Sequence, residues 1–466
     1  MEKYKNLLQN IGVFVLANFA ARILNFFILP LYTFYLSTEE YGTIDLFNTM
    51  LQLLYPIFTF AIADAVLRYG ISNKYDLKEI FTIGLNTILL GFSCLTLGVF
   101  IAGIFFTDKR ILFYFLLIFF VQAINSFFSA FVKALNKTKI MALITTFTGF
   151  LILTLNVLFI AILKKGINGY WSATIAGNIV GIVLYMFTCK LPAYYRTSKE
   201  QKVNKKLIKE MLAYSIPLIP NALFWWINSS LDRWVLTAVT GISTVGLYSC
   251  ANKIPTILST INTIVSQAWN LSLFQTDTDE ERKKFYIDVF YYFNEIIFCC
   301  SIGIIMLSKV VGNYMFLNDF FEAWIYIPVL TMGLFYNSLN SFLGSIFTAS
   351  KKTKYIFSTT IVGSVINMIL NFPMVYLWEG IGAAVSTLIS YLTVYYIRLK
   401  KIKSIYEISF DMKRICLQLF FITAEVIIVM NGMLWIPVIM VTIYCVKFIW
   451  ISYSDIKKIM GQLKRY

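Results

Sequence analysis

Eight ionisable side chains lie inside long apolar runs of the sequence: Arg22, Asp64, Arg68, Asp232, Arg233, Lys253, Glu295 and Glu425. Each costs roughly 2.5–3.5 kcal/mol at the centre of a bilayer, so such groups face a partner or a wet cavity. Asp64 and Arg68 are four residues apart, a spacing at which helical side chains neutralise each other. Asp232 and Arg233 are neighbours that leave a helix in different directions, which predicts a separate partner for each. Arg22, Arg233 and Lys253 have no local acid. A surplus of cations in a cavity suits an anion, above all phosphate or pyrophosphate, which a guanidinium grips through paired hydrogen bonds. Arg22, Arg68, Arg233 and Lys253 are therefore the candidate pyrophosphate-binding residues. Asp64, Asp232, Glu295 and Glu425 are candidates for ion coupling or for pairing with those cations. The competing expectation is that all eight bridge helices or extend to the interface, with no ligand.

Other chemistries are missing. Histidine is absent, which removes imidazole catalysis and histidine metal ligation. The seven cysteines, Cys94, Cys189, Cys250, Cys299, Cys300, Cys416 and Cys445, sit in or beside apolar segments without zinc spacing and read as packing residues. There is no GxxxxGK[ST] loop, so no nucleotide is hydrolysed on this chain. Neither a carboxylate pair at glycosidase spacing nor a serine nucleophile elbow is recognisable. No enzyme activity, cofactor or metal is expected.

The elements that must position these charges follow from composition. Of 466 residues, 59% are hydrophobic and 14% charged, and the mean hydropathy is +0.73. A soluble domain carries roughly 25% charged residues, so this chain lacks the polar surface to face water. The expected fold is an all-α polytopic membrane protein. Apolar runs of spanning length fall near 11–36, 43–70, 80–106, 111–134, 140–163, 169–191, 211–238, 245–274, 286–308, 321–349, 355–378, 380–398, 414–431 and 433–452, about fourteen transmembrane helices in all. The first is longer than a signal-peptide core and is expected to be retained.

Charge placement sets the orientation. Of 40 Lys and Arg residues, only Lys109, Arg110, Lys164, Lys165 and Lys309 fall on one side, with Arg22, Arg233, Lys253 and Lys447 inside spans. The rest gather on the other side with both tails, which the positive-inside rule assigns to the cytoplasm. This accounts for the net charge of +16 without nucleic acid. The lysines at 199, 202, 205, 206 and 209 read as topology signals that touch anionic lipids.

The chain also repeats itself. "NSFFSAFVKALNKTKI" from Asn125 matches "NSFLGSIFTASKKTKY" from Asn340, a constant offset that carries on to Leu155–Asn156 against Leu370–Asn371. One residue is then lost, and Gly166–Ile167 meets Gly380–Ile381; earlier, Gly42 and Asn48 pair with Gly246 and Asn252. The unit of duplication is six helices. An even number inserts both copies in one orientation, related by an axis along the membrane normal, and a cavity between two such lobes opens alternately to either side. The expected organisation is an amino-terminal lobe over 1–191, a basic cytoplasmic linker over 192–210, and a second lobe over 211–400. Two extra helices and a tail occupy 401–466. Pro30, Pro56, Pro217, Pro220 and Pro255 recur in matching helices and mark bends. Gly177 and Gly181 form a GxxxG of close helix packing.

Two stretches carry a family resemblance. "LPLYTFYLSTEEYGTIDLFNTMLQLLYPIFTFAIADAVLRYG", Leu29 to Gly70, resembles the amino-terminal signature of polysaccharide-biosynthesis oligosaccharide flippases of the Wzx type. "IPLIPNALFWWINSSLDRWVLTAVTGISTVGLYSCANKI", Ile216 to Ile254, is similar to their second-lobe entry region, including Asp232, Arg233 and Lys253. The family shares a superfamily with multidrug extruders and lipid II flippases. The resemblance implies translocation of an undecaprenyl-pyrophosphate-linked oligosaccharide to the outer leaflet of a bacterial plasma membrane, for O-antigen, capsule or another surface glycan. It further implies a cationic cavity for the pyrophosphate, an ion gradient as energy source, and a polysaccharide polymerase and chain-length regulator as partners. A multidrug extruder, a lipid II flippase and a non-transporting scaffold of the glycan-assembly complex are the alternatives. Arg22 and the cationic surplus disfavour the first, and the buried charges and repeat disfavour the last.

Overall fold

The computed structural model describes residues 28–72, 74–104, 108–195, 204–272, 279–349, 352–408, 410–432, 436–444 and 446. Among these residues the fold is all-α, as composition requires. In the first half lie α1 (Leu29–Tyr35), α2 (Thr38–Phe58), α3 (Ile62–Ile71), α4 (Leu77–Ala102), α5 (Lys109–Ala134), α6 (Thr138–Asn156) and α7 (Gly166–Cys189). A π-helical turn over Val157–Ile162 extends α6. Then come α8 (Lys205–Ser215), α9 (Leu218–Val239), α10 (Ile242–Asn252), α11 (Thr256–Ser272) and α12 (Asp279–Met315). A 3-10 stretch over Asn318–Tyr326 precedes α13 (Ile327–Ala349), α14 (Thr353–Tyr406) and α15 (Met412–Met430). Most of the runs 11–36 and 433–452 lies outside the described residues.

Short polar residues start the helices where water can solvate them. Ser37 accepts from the Glu40 amide at 3.1 Å while the Glu40 carboxylate accepts from the Ser37 amide at 3.0 Å, a reciprocal cap on α2. Asp76, Asp108 and Asp411 cap α4, α5 and α15 by accepting amide hydrogen bonds from the first turn. The Arg110 side chain also donates to Asp108 at 3.2 Å and holds that carboxyl below the usual carboxylate range.

The bends fall where the sequence places its breakers. The run 43–70 is two helices, α2 and α3, meeting at 54°. Pro56 lies near the end of α2, and Phe60 and Ala61 adopt left-handed φ of 53° and 47°. That kink presses on Gly91 of α4, where a Cβ would collide with the Phe58 carbonyl oxygen. In α14 the backbone leaves helical geometry at Trp378 and Glu379, and the chain turns back on itself. The reversal is recorded by Ser390 donating to the Gly363 carbonyl at 2.7 Å and Asn367 donating to Thr387 at 3.0 Å. A Cβ on Gly382 would collide with the Met374 carbonyl oxygen, so the turn has no room for a side chain there. The break falls between the expected runs 355–378 and 380–398.

Among the described residues six helices are long and apolar enough to cross a membrane, or seven if the bent α2–α3 pair is one span. Their outer faces are apolar: Phe100 is 77% exposed and Phe187 79%. A water-facing surface does not present rows of such side chains, whereas hydrocarbon accepts them. The chain is a multi-pass membrane protein.

Two compact units form, Tyr35–Leu231 and the described parts of Met1–Phe34 with Asp232–Tyr466. The first has an aromatic core. Phe81 packs within 5.2 Å of Phe127 and 4.8 Å of Phe131, measured between ring centroids, and Phe47 lies 5.3 Å from both Phe115 and Trp171. Gly177 of α7 lets α6 approach so closely that a Cβ would collide with Ile152, the small-residue packing that membrane helices use when lipid offers no hydrophobic drive.

Candidate functional site

Two regions hold the candidate charges. In the Tyr35–Leu231 unit, α3 carries Asp64 and Arg68, both exposed. Among the described residues they form no ion pair. The Arg68 guanidinium instead lies over the Tyr214 ring of α8, 4.2 Å from its centroid, a cation–π contact. The expected i,i+4 neutralisation is therefore absent, because an aromatic face is available to the arginine and both side chains stay solvated or lipid-exposed. Next to Arg68, the Tyr69 hydroxyl donates to the Glu210 carbonyl at 3.2 Å and the Tyr75 hydroxyl to the Glu210 carboxylate at 2.7 Å. In the turn that follows, the Tyr75 hydroxyl and then the Glu210 charge raise the Lys74 pKa above its ordinary value.

In the other unit the charges are buried and paired. Asp232 of α9 is 8% exposed. One carboxylate oxygen accepts from the Arg233 amide at 2.9 Å and from its guanidinium at 3.2 Å; the other accepts from the Tyr248 hydroxyl of α10 at 2.6 Å. The expectation that Asp232 and Arg233 point apart is overturned. The bond from the Arg233 amide turns the carboxylate toward its neighbour, and the long arginine side chain folds back to meet it. Tyr248 is the partner that sequence spacing did not reveal.

Lys253 stands exposed at the break between α10 and α11, where its carbonyl accepts from the Thr256 hydroxyl and Pro255 prevents an unbroken helix. Glu295 of α12 is held on all sides. It accepts from Arg414 at 2.6 Å, from Gln418 at 2.9 Å and from Tyr444 at 2.6 Å, while Asn294 donates to Gln418 at 2.7 Å. Glu425 of α15 is 1% exposed and its Oε1 has no hydrogen-bond partner among the described residues. Arg22 lies outside the described residues. No group of metal-ligating side chains is found among those described.

One buried cation escaped the sequence reading. Arg398, at the edge of the run 380–398, is only 5% exposed. It donates to the Thr359 hydroxyl at 3.0 Å, the Thr360 hydroxyl at 3.3 Å and the Asn340 carbonyl, all neutral acceptors. Gly344 leaves the space it fills, since a Cβ there would stand 3.1 Å from its guanidinium nitrogen. The only signal in the sequence was the cluster of hydroxyls at Thr359–Thr360 facing it across the hairpin.

Long apolar helices, one pair bent near Pro56, with ion pairs held in the protein interior, define a polytopic membrane protein. Residues 7–270 match the family model described as polysaccharide biosynthesis protein, more than half of the chain, and the protein belongs to that family. Over 208 residues it is 24% identical to the capsular polysaccharide biosynthesis protein CapF of Staphylococcus aureus, covering 43% of this chain and 51% of that one. The match thus spans about half the length of that curated relative. Among solved structures, the lipid II flippase MurJ in an inward closed conformation aligns with a TM-score of 0.66 at 18% identity, over 95% of this chain and 99% of MurJ. An inward-facing multidrug resistance transporter of the MATE family, in the MOP superfamily, aligns with the same TM-score at 14% identity, over 84% of this chain and 96% of that one. At these identities the structures show the shared fold. The two solved neighbours are a flippase and a transporter, and the resemblance of Leu29–Gly70 and Ile216–Ile254 to a polysaccharide-biosynthesis family is met by the match over residues 7–270.

Proposed function

We propose that this protein is a flippase that moves an undecaprenyl-pyrophosphate-linked oligosaccharide repeat unit from the inner to the outer leaflet of a bacterial plasma membrane. The single observation that carries the reading is the family match over residues 7–270. A MurJ-like fold over nearly the whole chain supports a lipid-linked substrate. The mechanism is alternating access between two six-helix lobes with two extra helices outside them, fourteen spans in all and both termini cytoplasmic, as the sequence repeat and the lysine distribution imply. A water-filled cavity takes the pyrophosphate and sugar while the polyprenyl tail stays in hydrocarbon.

Arg22, Arg68, Arg233 and Lys253 receive the pyrophosphate in turn. Exposed Arg68 and Lys253 suit the loading and unloading ends of that path, since neither forms an ion pair among the described residues. Arg233 is a different case, because it must loosen from Asp232 before it can bind. The finished units pass to a polymerase and its chain-length regulator. Deleting the gene and extracting lipid-linked glycans tests the reading. Accumulation of one undecaprenyl-linked repeat unit with loss of surface polymer is the expected result; unchanged surface polymer and no accumulated lipid would contradict it.

A further inference from the structure

The helix α8 has two faces with opposite fates. Leu207, Met211 and Ser215 are fully buried, and Glu210 and Tyr214 on the adjoining side are engaged by Tyr69, Tyr75 and Arg68. On the opposite face Lys205, Lys209, Ala213 and Ile216 are exposed, and Ile208 and Leu212 are half-buried at its edge. Lys205, Ile208, Lys209, Leu212, Ala213 and Ile216 line a groove of about 460 Å³ along it. These residues recur at three- and four-residue intervals and therefore form one stripe.

The stripe is graded along its length. Its amino-terminal end carries two ammonium groups, and its remaining length is hydrocarbon ending at Ile216, which is 46% exposed. Among the described residues neither Lys205 nor Lys209 forms an ion pair, and the nearby Glu210 carboxylate is committed to Tyr75. From Lys205 to Ile216 the helix rises about 16 Å at ~1.5 Å per residue. About 10 Å of that rise lies beyond Lys209, roughly two-thirds of the hydrocarbon depth of one leaflet, about 15 Å or half of the ~30 Å core. Positive charge at one end and apolar side chains behind it match the order of an anionic phospholipid, headgroup first and acyl chain after.

We infer that this groove is a binding site for one anionic phospholipid of the lysine-rich leaflet, with its headgroup phosphate between Lys205 and Lys209 and an acyl chain along Ile208, Leu212 and Ile216. The inference goes beyond the transport reading and holds whatever the cargo is. The bound lipid steadies α8 on the side that Tyr69 and Tyr75 do not reach.

The test uses the purified full-length protein, with retained and titrated lipid counted by native mass spectrometry. Phosphatidylglycerol is expected to bind at one tight site, and phosphatidylcholine at none. A Lys205→Gln, Lys209→Gln variant should bind phosphatidylglycerol about thirtyfold more weakly, from ~1 kcal/mol for each lysine near an anionic headgroup. Lys205→Arg, Lys209→Arg should keep most of the affinity, and Lys206→Gln, which does not line the groove, should keep all of it. Ile216→Ser should weaken long-chain phosphatidylglycerol, and inorganic phosphate should not compete. Elution of each variant as a monodisperse peak separates loss of lipid from loss of fold. Equal binding by the double glutamine variant, an equal loss in Lys206→Gln, competition by free phosphate, or displacement by stoichiometric undecaprenyl pyrophosphate would each overturn the assignment.

Discussion

The two compact units solve the interior differently. The Tyr35–Leu231 unit fills it with aromatic rings around Phe81, Phe127 and Phe131 and leaves Asp64 and Arg68 at the surface. The unit that follows buries Asp232 with Arg233 and Tyr248, Glu295 with Arg414, Gln418 and Tyr444, and Arg398 among hydroxyls and a carbonyl. Yet the sequence repeat puts related helices in both. Asn125 donates to Asn178 at 2.9 Å in one copy, and Asn340 donates to the Tyr391 carbonyl at 2.9 Å in the other. After the one-residue gap, Asn178 corresponds to a position beside Tyr391, so the same asparagine reaches the same place on the matching helix. One helical plan thus carries an aromatic core in both units, Phe290 lying 4.5 Å from Phe410 and Phe293 5.2 Å from Phe342 in the second, and there it also accepts buried charges. A buried charge without its partner is costly, so the second unit is the more fragile to single substitutions.

That contrast can be broken in order of expected effect. Asp232→Ala removes a carboxylate that accepts from both Arg233 and Tyr248 and should lower stability by about 3 kcal/mol, through loss of one member of a buried ion pair and of the acceptor for the buried Tyr248 hydroxyl. Thermal unfolding in detergent reads it, and a change under 1 kcal/mol would mean the pair is not a fixed part of the interior. Glu295→Ala should cost less, about 2 kcal/mol, because Arg414 is 41% exposed and water screens it once the acid is gone. The same unfolding measurement, with Arg414→Ala and the double variant, should show coupling between the two sites. In the first unit Asn125→Ala should cost only about 1 kcal/mol, the scale of an interhelical hydrogen bond in a membrane. Smallest of all is Asp64→Asn, expected to change stability by under about 0.5 kcal/mol; a drop of 2 kcal/mol would reveal a partner that the fold does not show.

Much of this was legible in the sequence, and the rest was hidden for physical reasons. Apolar run length and charge poverty gave the all-α membrane fold, and Pro56 marked the region of the α2–α3 bend. The tight reversal at Trp378–Glu379 fell in the gap between two apolar runs. Local spacing failed wherever a long side chain chose a distant partner. The Asp64–Arg68 spacing suggested a pair, but Arg68 found Tyr214 on another helix. Adjacency suggested that Asp232 and Arg233 diverge, but helix projections fix only the Cβ direction, and an arginine has enough torsions to double back. Glu295 meets Arg414 and Tyr444 more than a hundred residues later in the chain, a distance that no periodicity reports. Arg398 looked like a boundary residue because its run ended there, whereas the hairpin continues to Tyr406 and buries it.

In this account the Asp232–Arg233 and Glu295–Arg414 pairs hold the protein together, and exposed Arg68 and Lys253, which form no ion pair among the described residues, handle the cargo at either end of its path. The most direct test complements the deletion strain with an Arg68→Ala, Lys253→Ala double variant and quantifies undecaprenyl-linked repeat units and surface polymer by mass spectrometry. The account predicts normal membrane insertion, little change in unfolding temperature, at least tenfold accumulation of the lipid-linked unit and loss of surface polymer. Wild-type polymer with no accumulated lipid, in a variant inserted at normal level, would contradict it.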